Sequence, residues 1–120
     1  MQVHLLKSKV HRAQVTGVSL DYEGSLTIAE DLMEKVGLLP NERILCSNLG
    51  NGERFETYAI PGERGSGVIE LNGAVAHLGK IGDQLTIMAF TEVDSSKARR
   101  WKPRVIVLGK KNRIINKRGI

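Results

Sequence analysis

Two steps in this chain place a serine hydroxyl next to a glycine carbonyl, Gly24-Ser25 and Gly65-Ser66. Glycine leaves its carbonyl unshielded and tolerates φ/ψ angles that other residues resist, so such a step can hold a strained peptide beside a nucleophile. Gly and Ser are also ordinary turn residues, and neither step means anything by itself. Two cations could serve carboxylate chemistry. Arg54 offers a planar bidentate fork and Lys9 a compact charge. His11 titrates near neutrality and suits either a proton carrier or a structural hydrogen bond, and Tyr22 is open to the same two readings. His4, His77 and Cys46 lack metal-ligand spacing, so no metal is assigned.

The elements that position these residues read mainly as strands. From Val3 to Val15 the chain reads as one strand on which Lys7, Lys9, His11, Ala13 and Val15 share a face. Thr27 is expected to cap a short helix with Ile28, Leu32, Met33 and Val36 as its apolar stripe and Gly37 as its end. Ile44 to Asn48 and Glu53 to Ile60 flank Gly50-Asn51-Gly52, a hairpin signal of the tight primed type. On the second of these strands Arg54, Glu56, Tyr58 and Ile60 share a face, and Thr57 alternates away. Pro61 to Gly67 reads as a loop, Val68 to Leu71 as a strand, and Asn72 to Leu78 as a turn or a single helical turn. A strand follows at Gln84 to Val93, then a brief helix capped by Asp94 or Ser95, then an extended segment at Arg104 to Leu108 beyond Pro103. About six strands with two or three short helices argue for a barrel.

With 120 residues, 41% hydrophobic and 26% charged, one globular domain is expected. A single cysteine excludes an intrachain disulfide framework and fits a reducing, cytoplasmic location. The N-terminus lacks the apolar core of a signal peptide, and no apolar run reaches membrane-span length. The formal net charge is +5, concentrated after residue 96, and residues 109 to 120 read as a solvated basic tail.

Tyr22-Glu23-Gly24-Ser25 resembles the self-cleavage site of the pyruvoyl-dependent aspartate 1-decarboxylase family. Lys9-Val10-His11-Arg12, Asn51-Gly52, Arg54 to Ile60, Glu63-Arg64-Gly65-Ser66 and Asn72 to His77 recur in the family's order and spacing. The likeness spans roughly residues 1 to 105. Ser47 and Gly50 depart from the pattern, where a bulkier aromatic and a polar residue are expected.

This resemblance implies a double-psi β-barrel and cleavage between Gly24 and Ser25 into residues 1–24 and 25–120. Ser25 Oγ would attack the Gly24 carbonyl carbon, with Thr57 as donor to the oxyanion, and β-elimination and hydrolysis would leave a pyruvoyl cofactor at position 25. Neither pyridoxal phosphate nor a metal is implied. The pyruvoyl ketone would condense with the amine of L-aspartate, and decarboxylation would give β-alanine for pantothenate and coenzyme A biosynthesis. The resemblance makes Arg54 the main carboxylate clamp, with Lys9, Thr57, Gly73 and Ala74 also binding substrate, and Tyr58 the proton donor. Gly24, Thr57, Asn72, Tyr22 and His11 would serve processing and orientation, and Ile60 would supply an apolar wall.

The partners implied are L-aspartate and a homotetramer with its active sites at subunit contacts. Whether cleavage is spontaneous or assisted by a maturation factor stays open. Because Thr57 alternates away from Arg54 and Tyr58, uniting all three needs a bulge or a neighbouring subunit. Two other readings differ in what they bind. A basic barrel could bind nucleic acid through its C-terminal Lys/Arg cluster, although only five aromatic residues are available for base stacking. A close relative could instead use glutamate, since one methylene changes binding by only ~1–3 kcal/mol.

Overall fold

Alternating apolar and polar residues build most of this chain, and in the computed structural model, which describes residues 1–120, they form nine strands. These are β1 (Gln2–Gln14), β2 (Gly17–Ser19), β3 (Ser25–Ala29), β4 (Arg43–Asn48), β5 (Arg54–Gly62), β6 (Ile69–Asn72), β7 (Gln84–Asp94), β8 (Arg104–Leu108) and β9 (Ile114–Arg118). One α-helix, α1 (Glu30–Val36), follows β3, and 3₁₀ turns occupy Gly73–Leu78, Ser95–Arg100 and Lys110–Asn112. All strands join one sheet in the order β2-β6-β3-β5-β4-β7-β1-β8-β9. Its β1–β8, β2–β6 and β3–β5 pairs are parallel and the rest antiparallel. The mainly-β class is as the sequence implies. This mixed pairing is consistent with a double-psi barrel, although its ladders run open from β2 to β9.

The core lies on one face of the sheet. Val10, Ile87, Cys46 and Phe55 stand side by side across β1, β7, β4 and β5, and all four are buried. They belong to a cluster of 22 buried apolar residues.

Four expectations change. A bulge in β1, with Arg12 at φ 62°, shifts the register between Val10 and Ala13. Ala13 and Val15 consequently join Ser8 and Val10 in the interior, away from Lys9 and His11. The segment at 25–29 is a strand rather than the start of a helix. It is held on both sides, by β5 and β6, so Ile28 is a strand core residue and α1 begins after Ala29 with no side-chain cap from Thr27. Gly37 does end α1, at φ 74°, with its own N–H and that of Leu38 closing a Schellman motif on Glu34 and Met33.

The β4–β5 hairpin forms, but through a wider connection in which Gly52 alone has positive φ. There Asn48 and Asn51 accept hydrogen bonds from the Gly50 and Glu53 N–H groups, 2.8 Å each. Finally, the last dozen residues are not a free tail. β9 pairs with β8, and buried Asn112 bonds Gln14 in both directions and donates to the Gly67 carbonyl.

Candidate active site

Ser25 opens β3 and is fully buried. Directly across the antiparallel β3–β6 ladder stands Asn72, whose Nδ2 donates to Ser25 Oγ at 2.9 Å and to Thr27 Oγ1 at 2.8 Å. Gly24 sits at φ 115°, a conformation that L side chains rarely adopt. Gly73, at φ 74°, lies against it. A Cβ added to Gly73 would fall 2.7 Å from the Gly24 Cα and 2.8 Å from the Tyr22 carbonyl oxygen. Gly24 and the segment packed against it thus sit where a side chain would not fit, Gly24 by its φ and Gly73 by its closeness to Gly24 and Tyr22.

β5 runs parallel to β3, with Leu26 beside Ala59 and Thr27 beside Ile60. One step beyond that ladder the next residues on the two strands are Ser25 and Tyr58. Residues paired across a sheet share a face. Ser25, Thr27, Asn72, Tyr58, Ile60 and Arg54 therefore belong to the face opposite the core. Lys9 lies on the same face, because Lys9, Met88, Leu45 and Glu56 pair in one row across β1, β7, β4 and β5.

His11 stands at the edge of the neighbouring row, its Nδ1 3.1 Å from Thr86 Oγ1, and that row continues through Ser47 to Arg54. Burial, with Lys9 and Arg12 adding to it, holds His11 below the usual histidine range. The Arg54 guanidinium forms no ion pair and only a 3.5 Å contact with the Gly52 carbonyl, which leaves its fork available. Tyr58 is 37% exposed.

Thr57 alone points the other way, and no bulge redirects it, because Arg43 to Ser47 pair with Tyr58 to Arg54 without interruption. The Tyr22 side chain is exposed, so only its backbone carbonyl approaches the cluster. Ala74 is exposed at the start of the 3₁₀ turn that follows Gly73. None of the larger cavities is lined by Ser25, Arg54 or Tyr58. No three His, Cys, Asp or Glu side chains come together as a metal site would.

Thr27 is the member of this cluster that the sequence reading places elsewhere. Recognising that residues 25 and 27 stand on one face opposite 70 and 72 would have found it.

Residues 1–115 match the family model described as aspartate decarboxylase. This chain belongs to the aspartate decarboxylase family. It is similar to the aspartate 1-decarboxylase of Chlorobium luteolum, 53% identical over 112 residues covering 93% of this chain and 88% of the relative. That of Burkholderia vietnamiensis is 53% identical over 115 residues, covering 95% and 90% of the two chains. The protein of the same name from Chloroherpeton thalassium is 50% identical over 113 residues, covering 94% and 83%. The family match extends past β8 into β9, beyond the span over which the motifs themselves are recognisable.

Proposed function

We propose that this family member is a pyruvoyl-dependent aspartate 1-decarboxylase, which splits its own chain between Gly24 and Ser25 and then converts L-aspartate to β-alanine and CO₂. One observation carries the reading. In a chain of this family, the Gly24–Ser25 step begins at a positive-φ glycine against which a second, Gly73, is packed, and its serine is buried and held by Asn72. This setting fits a pyruvoyl group made from Ser25. An acyl group at position 25 would inherit the burial of the side chain it replaces and the Asn72 amide as a ready donor.

In the first stage Ser25 Oγ attacks the Gly24 carbonyl carbon. The C–N bond breaks, the hydroxyl proton ends on the Ser25 nitrogen, and an ester remains in the main chain. Gly24 reaches its positive φ without a side chain to shield its carbonyl, which leaves the carbon open to attack. Thr57, which the family resemblance makes the oxyanion donor, stabilises the charge that forms on the Gly24 carbonyl oxygen. Elimination releases a chain that ends at Gly24, and hydrolysis of the new terminus expels ammonia.

The pyruvoyl group supplies an electrophilic carbonyl that holds the substrate amine and takes up the electron pair left by CO₂. Arg54 grips a substrate carboxylate through its free fork, and Lys9 adds a second cation on the same face. Tyr58 delivers the proton that replaces the lost carboxylate. Asn72, with the backbone N–H groups of Gly73 and Ala74, orients the acyl oxygens, and Ile60 walls the site. His11 and Tyr22 support processing and orientation. β-Alanine as product fits a role in pantothenate and coenzyme A biosynthesis, and the family resemblance implies a homotetramer working in the cytoplasm.

Intact mass under denaturing conditions tests the first stage. Two fragments, residues 1–24 and 25–120, are expected, and one uncleaved chain would count against self-processing. CO₂ release from aspartate and glutamate tests the second, and faster turnover of glutamate would overturn the substrate assignment.

A further inference from the structure

The chain contains its own control for what makes a Gly-Ser step reactive. Gly24 and Gly65 both have positive φ, 115° and 80°, and each precedes a serine. The sign of φ alone does not separate them. Their serines differ in every other respect. Ser66 is exposed, donates its hydroxyl to the Glu63 carbonyl at 2.6 Å and accepts from the Val68 N–H at 3.2 Å. Its proton is already committed to a backbone oxygen, and no side-chain amide reaches it. Ser25 is buried, and its Oγ accepts from the Asn72 carboxamide. An N–H aimed at Oγ stabilises that oxygen as its proton leaves, and it fixes the side chain's rotamer.

A carboxamide can rotate, and Asn72 therefore needs a second contact to keep one N–H on Ser25. Thr27 Oγ1 supplies it. The Nδ2 group has two hydrogens, and the two hydroxyls that receive them stand two residues apart on one face of β3.

We propose that Thr27 is a positioning residue for self-processing: it anchors the Asn72 amide so that one N–H stays on Ser25 Oγ. This inference rests on the self-processing reading above. The reaction it assists is an isomerisation that needs no co-reactant. The Ser25 Oγ–Gly24 carbonyl carbon bond forms, the Gly24–Ser25 C–N bond breaks, and the hydroxyl proton passes to the nitrogen.

The test follows the appearance of the 25–120 fragment by intact mass in freshly synthesised full-length chain. Wild type is compared with Thr27→Val, Thr27→Ala and Thr27→Ser. Thr27→Val keeps the shape and loses the acceptor, so cleavage slows about tenfold, the effect of one lost hydrogen bond on a barrier. Thr27→Ser restores the acceptor without the methyl and cleaves at close to the wild-type rate. Should Thr27→Val misfold, the ratio of Thr27→Ser to Thr27→Ala rates carries the same comparison. Equal rates for the hydroxyl-bearing and hydroxyl-free variants, in a wild-type background that cleaves, would overturn the role of Thr27 alone. A wild-type chain that stays whole would overturn the self-processing reading and this inference with it.

Discussion

At the scale of single residues, Tyr58 and His11 make separable predictions. Tyr58→Phe removes a hydroxyl from a half-exposed strand position without touching Ser25 or Asn72, so the variant should still cleave. Its kcat should fall by about two orders of magnitude, the usual worth of a positioned acid, and normal turnover would remove Tyr58 from the proton-donor role.

His11 is held below its ordinary value of 6.5, so the folded chain binds its proton less readily than the unfolded one. The sign follows. Stability is intact above pH 6.5 and declines as the pH falls from there toward the lower folded value, since protonation favours the unfolded chain. Lys9 and Arg12 are the charges that oppose this protonation. Thermal unfolding of wild type and His11→Gln across pH 7 to 5 should show a steeper loss in wild type. Parallel curves would mean that His11 is not desolvated as its position requires.

At the scale of elements, the C-terminal segment is anchored by one side chain. Asn112 makes three hydrogen bonds that tie the end of β1 to the loop before β6, from a backbone in left-handed φ. Asn112→Ala removes three part-buried hydrogen bonds to the Gln14 and Gly67 backbone and should cost about 2 kcal/mol, read as a lower unfolding midpoint in denaturant. No change would mean that these three bonds contribute little to the fold.

The same elements show what the sequence revealed and what it withheld. β4, β5, β7 and β8 were readable because their alternation is regular and glycine, asparagine or proline marks their ends. β9 was hidden by its charge. Asn-Lys-Arg reads as solvated, yet an edge strand needs only backbone pairing and one buried contact. β3 was hidden because Ser-Leu-Thr-Ile runs without a break into the helical Glu-Asp-Leu-Met, and the boundary is set by pairing with β5 and β6, which are far away in sequence. The β1 bulge could not be read from alternation because it exists only relative to β7. The site shows the same division. Arg54 and Tyr58 share a face as their spacing implies, whereas the shared amide linking Ser25, Thr27 and Asn72 depends on the β3–β6 register.

At the scale of the whole molecule, one chain does not enclose the site. Arg54 and Tyr58 lie on the outer face of the sheet, and none of the larger cavities includes them or Ser25. Decarboxylation needs the substrate carboxylates sheltered from water, since a guanidinium–carboxylate pair is weak in bulk solvent and strong in a low-dielectric pocket. Another copy laid over the outer face, as the homotetramer implied by the family resemblance would provide, would give that shelter and would remove the need for Thr57 to share a face with Arg54. Light scattering on the eluting protein should therefore give about four times the 13.2 kDa chain mass. Activity per chain should fall on dilution over the range in which that mass falls. A monomer that turns over aspartate at the undiluted rate would show that one chain completes the site without a partner.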